Sequence, residues 1–461
     1  PVVAQSEAAG APDGLRVDVS TTRDGGCGFT VSVAGRPWLV STTSSLFAGH
    51  AEHPVALGSH RKTTGADELG SWAADLFTGT AGGTRVSAAV RNYAGFATFD
   101  VTLPDGASGT QRNAFNVSVR DLGGAVAPVI DFPSFDFADN ASALPSLGAL
   151  TIQGDQIGTT PWTWGSEGQL PGNSGRGGGP FVLFDDPRDA AVAICPLTHF
   201  HTAVSHLDGA KSAWRWGPSG ELTSLPPGFT HRTLLVLGPQ GATDAFERMG
   251  KALQALHPAA AAARRDSQAK DLNINVLSYY TDAGDEFLNG MPAAQLAEVI
   301  HDAHAPFGLV QLDDWFHATN TSHPDNCGCL ENWTGNPRWF DQASGGVRGF
   351  ADAAGLPLAL YLPAAGLCPG AGEAHFNIST LRGGDGGGSS DTVFFVPTPA
   401  DSPKFFTELM AQGLAEGMGH TFEIDFLWFQ FLQTPEWRGE LEQFPAYFQA
   451  LGSAAAAAAT A

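Results

Sequence analysis

The pattern of apolar and polar positions changes character near residue 241. Before it, short runs alternate with a period of two. Leu15-Arg-Val-Asp-Val-Ser, Phe29-Thr-Val-Ser-Val, Arg85-Val-Ser-Ala-Ala-Val and Phe96-Ala-Thr-Phe-Asp-Val-Thr-Leu each present apolar side chains to one face, the mark of half-buried strands. Turn residues punctuate them at Arg23-Asp-Gly-Gly, Pro104-Asp-Gly and Asp185-Asp-Pro-Arg-Asp. The last of these joins Pro180-Phe-Val-Leu-Phe to Ala190-Ala-Val-Ala-Ile-Cys as a hairpin. Many short strands at this spacing predict an antiparallel β-sandwich over 1–240.

A helical period with a Thr or Asp cap begins at Gly241, and an Ala-rich segment from Pro258 to Arg265 follows. The spacing makes 241–270 a helical linker. From 271 strands and helices alternate: strands at Ile274–Tyr280, Phe307–Leu312, Leu356–Leu362 and Thr421–Leu427, with helices at Pro292–His304, around Val347–Ala354, at Phe405–Met418 and from about Leu441 to Ala459. Repeated strand–helix units predict a parallel sheet, most economically a (β/α)₈-type barrel. Only about four such units fit in 271–461, the first half of a barrel.

Composition narrows the function classes. With 30 Phe and 11 Trp the chain can build large cores, while 57 Gly and 30 Pro favour loops over helical bundles. The net charge of −23 repels phosphate backbones and anionic lipid, so nucleic acid is not an expected partner. No run of eighteen apolar residues predicts a membrane span. Five Asn-x-Ser/Thr sequons (Asn116, Asn140, Asn320, Asn332, Asn377) on an acidic chain point to a secreted or secretory-pathway glycoprotein. The first residue is Pro1 rather than Met, as in a mature chain or at a fragment boundary. Of five cysteines, Cys327 or Cys329 is a candidate to pair with Cys368, and Cys195 reads as a buried free thiol. His323, Cys327 and Cys329 fit no complete metal-ligand pattern, so neither metal nor cofactor is expected. Asn173-Ser-Gly-Arg-Gly-Gly-Gly lacks the Lys-Ser/Thr of a phosphate loop and reads as a flexible loop, and Trp162-Thr-Trp164 is either a sugar platform or core.

Three of the predicted parallel strands end in acids. Tyr279-Tyr-Thr-Asp282 closes the first, Gln311-Leu-Asp313-Asp314-Trp315 the second and Glu423-Ile-Asp425 the fourth. Carboxylates at the C-terminal ends of parallel strands converge on one face. Here they come with Tyr280, Trp315 and Trp428. Hydrogen-bonding acids beside flat aromatic rings suit a pyranose ring, so carbohydrate is the expected partner. A structural reading, acids capping loops, stands beside it.

Asn275-Val-Leu-Ser-Tyr-Tyr-Thr-Asp-Ala-Gly, Val310-Gln-Leu-Asp-Asp-Trp-Phe and Phe422-Glu-Ile-Asp-Phe-Leu resemble the first, second and fourth barrel strands of the alpha-galactosidase and raffinose-synthase clan of glycoside hydrolases. They come nearest to a poorly characterised branch of it. The Gly179–Phe200 hairpin resembles the clan's N-terminal sandwich. The resemblance implies a retaining hydrolase or transglycosidase acting on terminal α-linked sugars such as α-galactosides. Asp425 matches the nucleophile, and Asp313 and Asp314 match acids that hold sugar hydroxyls. Asp282, Tyr280, Trp315, Glu423 and Trp428 lie around them as substrate-binding candidates. Two departures stand out: Glu423 occupies the place of a Lys, where it either disfavours an ionised Asp425 by like-charge repulsion or points to the other face of the strand and leaves the pocket alone, and Asp313-Asp314-Trp315-Phe316 replaces Asp-Asp-Gly-Trp. The acid/base, expected on a later strand, has no counterpart here, so a second chain or further C-terminal sequence is expected to complete the barrel. The alternative is a catalytically silent glycan-binding or structural glycoprotein on the same fold.

Overall fold

The computed structural model describes residues 14–459 apart from 22–26, 113–125, 137–146, 154–155, 162–178, 186–188, 209–212, 269, 282–290, 320–329, 363–365, 369, 386–392, 425–426, 428–429 and 432–433. The chain forms two compact units. The first holds the residues up to Ala261 together with Arg438–Leu441, and the second holds Ala262–Trp437 and the residues from Glu442 onward.

The first unit is built on two antiparallel sheets. A six-stranded sheet runs in the order Leu15–Thr21, Cys27–Val33, Arg36–Ser41, Ser134–Asp136, Ala213–Pro218, Ala203–Asp208. A nine-stranded sheet has Phe181–Asp185, Ala190–Pro196, Phe229–Gly238 and Phe96–Leu103 at its centre, and Ala56–Asp67 at one edge. Both send large side chains into one core, among them Phe29, Trp38 and Phe135 from the first and Phe99, Phe181 and Val192 from the second. Alternation explains which residues these are. The predicted hairpin is present, with Asp185 opposite Ala190. Its second strand is apolar on both faces because both are covered. Val192 and Ile194 enter the sandwich core. Ala193 and Cys195 face the opposite way and share clusters with Ala245 and Ala252 of the helix Ala242–Leu256. That helix therefore packs with the first unit. Cys195 is a free thiol, as its apolar surroundings imply, and burial pushes its pKa up to about 12.

The second unit contains a parallel sheet in the order Leu277–Tyr280, Phe307–Leu312, Leu358–Leu362, Met418–Ile424. These are the four strands whose apolar runs predicted them. Val310, Leu312, Leu358 and Leu360 pack into a core with Leu296 and Ile300 of the helix Ala293–Asp302, Val347 and Phe350 of Gly346–Ala354, and Phe406 and Leu409 of Ser402–Ala415. One face of the sheet is thus covered by helices. The sheet also curls. Asn273, just ahead of the first strand, donates from Nδ2 to Thr421 Oγ1 on the fourth at 2.9 Å. The predicted parallel sheet is present; closure into a barrel is not seen among the described residues. No described helix is long and apolar enough to cross a membrane.

Cys368 is buried and disulfide-bonded, and both candidate partners, Cys327 and Cys329, lie outside the described residues, as does His323. Asn116, Asn140, Asn320, Trp162 and the glycine-rich loop after Asn173 lie outside as well, and so does the side chain of Asn332. Asn377 is exposed and left-handed (φ 48°) at a helix end, and its carbonyl accepts from Lys404 Nζ at 3.0 Å.

Candidate active site

Thr281, immediately after the first parallel strand, organises the acid-bearing end of the sheet. It is fully buried. Its hydroxyl donates to the Gln311 carbonyl at 3.0 Å, tying the first strand to the second. The same oxygen accepts the Asp313 backbone N–H and the Trp315 Nε1–H, both at 3.0 Å. One hydroxyl therefore fixes where Asp313 leaves the second strand and how Trp315 turns. Trp315 is 1 % exposed and its ring stacks on Phe340 at 5.7 Å between centroids. Of the candidate aromatics described, Trp315 is a core residue supporting the acid loop, whereas Tyr280 is 46 % exposed at the edge of the sheet.

His317 locks the far side of this loop. It is buried, and its Nε2 lies 3.1 Å from the carbonyl of Tyr361 on the third strand. Facing a carbonyl, Nε2 must carry the proton. Burial pushes the imidazole pKa down to about 3, so the ring is neutral. The Phe316 carbonyl accepts from Asn336 N–H at 2.7 Å. The Asp313 turn is thus held by strands one and three and by the hairpin that follows it. Asp313 itself is 3 % exposed.

The fourth strand joins the second through side chains. Gln311 Nε2 donates to Glu423 Oε2 over the intervening third strand. The residue beneath is Ala359, the register partner of Gln311, whose methyl leaves the bridge room. Glu423 therefore belongs to the same face as Gln311, away from the helices. Asp313 and Glu423 are brought to one end of one sheet. Asp282, Asp425, Trp428 and the side chain of Asp314 lie outside the described residues. Sequence reading passed over Thr281 and His317. A lone Thr before an acid and a His after an aromatic pair carry no signal until the strands they bridge are known.

The Thr281 hub makes a direct prediction. Thr281→Val keeps shape and volume but leaves two buried donors without an acceptor. Loss of stability by about 2–4 kcal/mol is expected in urea unfolding, with Thr281→Ser close to wild type.

No family model matches the chain, and no curated protein does. Solved structures do. An alpha-N-acetylgalactosaminidase from Bifidobacterium bifidum superposes on 96 % of this chain and 75 % of its own, at 14 % identity and a TM-score of 0.55. An alpha-galactosidase from Lactobacillus brevis covers 96 % of this chain and 68 % of its own, at 12 % identity and a TM-score of 0.53. The chain has the fold of these glycoside hydrolases. This likeness of fold agrees with the resemblance of the three strand motifs and favours no branch of that clan. At such identity the likeness concerns the fold, and the chemistry has to be argued from residues.

Proposed function

We propose that this chain is a glycoside hydrolase of the retaining type, acting on terminal α-linked sugars such as α-galactosides. The observation that carries the reading is the convergence of Asp313 and Glu423 on one end of a curled parallel sheet, in a fold shared with enzymes named for α-galactoside and α-N-acetylgalactosaminide cleavage. Asp425 follows Glu423 by two residues, the period of a strand. In the proposed mechanism the Asp425 carboxylate attacks the anomeric carbon, the aglycone leaves as its oxygen is protonated, and water then cleaves the glycosyl ester. Asp313 and Asp314 hold sugar hydroxyls, with Asp282, Glu423, Tyr280 and Trp428 around the ring and Trp315 behind the loop.

The reading includes a completed barrel. Of the five large apolar residues conspicuously exposed among the described residues, Ile274 (61 %), Leu277 (54 %) and Tyr280 (46 %) cluster on or just before the first strand, an edge of the parallel sheet. Open edges of this kind invite pairing. Strands from further sequence or another chain would cover them and supply the acid/base about 5–5.5 Å from the nucleophile. Passage through a secretory pathway, with glycans at the sequons and a Cys368 bridge to Cys327 or Cys329, belongs to the same proposal.

A mechanism-based α-galactoside that traps the glycosyl-enzyme tests it. Mass spectrometry of the intact native protein should place a single adduct on Asp425; labelling elsewhere, or none, would sink the assignment. Glu423, in the place of a Lys, favours a second reading: a glycan-binding protein without turnover. On that reading Asp425→Asn leaves sugar affinity intact and no substrate is ever consumed.

A further inference from the structure

A cleft of about 660 Å³ opens in the first unit, where turns between strands of the sandwich meet. Its size lies within the range of about 300–1,000 Å³ of small-molecule sites. Its walls are fixed by the backbone. The hairpin Ser45–Ala48/Ala51–Pro54 forms one side, with Gly49 N–H donating to the Ser108 carbonyl at 2.8 Å and His50 N–H to the Gly109 carbonyl at 3.0 Å. Glu52 of the hairpin accepts from Arg112 at 2.8 Å and from Ser45 Oγ at 2.7 Å, anchoring it from behind. Ala107–Ser108 pairs with Ser224–Leu225 to make a second side. Arg85 grips the Asp105 carboxylate through two hydrogen bonds and so pins the turn between them. Two glycines allow the close approach. A Cβ on Gly82 would meet the His53 ring at 2.5 Å, and one on Gly106 the Leu225 carbonyl at 2.5 Å.

The groups facing this space are His53, Thr84, Asp105, Ser108, Ser224 and the rings of Pro226 and Pro227. Among the described residues, the side chains of His53, Thr84, Ser108 and Ser224 make no hydrogen bond within the protein, although backbone around them is well satisfied. Ser108 and Ser224 are direct cross-strand partners, which sets their Cβ atoms about 4.5–5.5 Å apart on one face. Two hydroxyls so placed match two neighbouring hydroxyls of a ligand, and each can donate or accept. The carboxylate present is already neutralised by Arg85, so no bare charge calls for a charged ligand, and the chain's net charge of −23 disfavours anions. The prolines offer an apolar wall to C–H groups, while Leu225 is turned into the sandwich core behind them. We propose that this cleft is a binding site for a neutral saccharide, one to two rings long, in the sandwich unit. It adds a carbohydrate site to the glycosidase reading without depending on catalysis.

Photo-crosslinking of the full chain with a diazirine derivative of galactose tests it. Adducts are expected on peptides spanning 48–53, 105–108 and 224–227, suppressed by free galactose. Ser224→Trp, which fills the cleft from an exposed position, should reduce these adducts at least about tenfold. Ser108→Ala, which removes one hydroxyl, should raise the galactose concentration needed for competition by about three- to tenfold. Asp425→Asn should leave them unchanged, so failure of the nucleophile assignment is read separately. Adducts absent from these peptides, or undiminished in both Ser224→Trp and Ser108→Ala, overturn the site. Stronger competition by glucuronate or glucosamine than by galactose overturns the ligand class.

Discussion

Asp425→Asn is expected to lower kcat/KM for α-galactosyl fluoride by about 10³–10⁴-fold or more, with unfolding by urea unchanged. The substrate is chosen for a physical reason. Fluoride leaves without protonation, so formation of the glycosyl-enzyme does not wait on an acid/base, and the assay isolates the nucleophile. Asn matches Asp in shape but lacks the anionic oxygen that forms the bond to the anomeric carbon. A structural or merely substrate-holding carboxylate would behave differently, raising KM with kcat largely kept. Asp425→Gly adds a positive signature. With the side chain removed, azide at high concentration should enter, attack in its place and restore turnover, releasing β-galactosyl azide with inverted configuration. Restored turnover without the azide product, or wild-type rates in Asp425→Asn, contradicts the role. Asp313→Asn provides the contrast: its loss should fall mainly on KM, since the proposed role is to hold hydroxyls present in both ground and transition states.

The regular parts of this molecule were legible because they repeat a pattern. Alternation in Phe96–Leu103 and the turn after Asp185 announce antiparallel strands, and the apolar runs at Phe307–Leu312 and Leu358–Leu362 announce a parallel sheet between helices. What periodicity does not encode is which side of a buried run meets which neighbour. Ala190–Pro196 reads simply as apolar, yet it serves two cores at once. Trp315 and Tyr280 show the same limit at the site. Both are aromatics beside acids, and the sequence gives no sign that one is 1 % and the other 46 % exposed. Glu423 was open to either face of its strand. Its bond to Gln311 decides the matter through a contact between non-adjacent strands, which no local window contains.

The longest-range of these contacts is also where a single substitution is expected to cost most stability. Arg438–Leu441 belongs to the first unit although 176 residues, 262–437, separate it from the rest of that unit in sequence. Leu441 enters the sandwich core, Thr223 donates from N and Oγ1 to the Gly439 carbonyl at 3.0 and 3.1 Å, and His201 Nε2 lies 2.9 Å from the Leu441 carbonyl. At its head Arg438 donates from Nη1 to Glu221 Oε1 at 2.6 Å, with both side chains at most 5 % exposed. Such a pair contributes little over an apolar substitute, because dehydrating two ions offsets most of their attraction; breaking it leaves one charge buried and uncompensated. Glu221→Ala is therefore expected to lower stability by about 3–5 kcal/mol, and Arg438→Met by less, since a carboxyl can take up a proton whereas a guanidinium cannot shed one. The double variant Glu221→Leu/Arg438→Met should recover most of the loss. Equilibrium urea unfolding followed by tryptophan fluorescence reads all three. If the double variant is as unstable as the sum of the singles, packing of the segment rather than its ion pair is what the fold depends on. If Glu221→Ala costs under about 1 kcal/mol, the pair is solvated like a surface bridge and the segment does not depend on it.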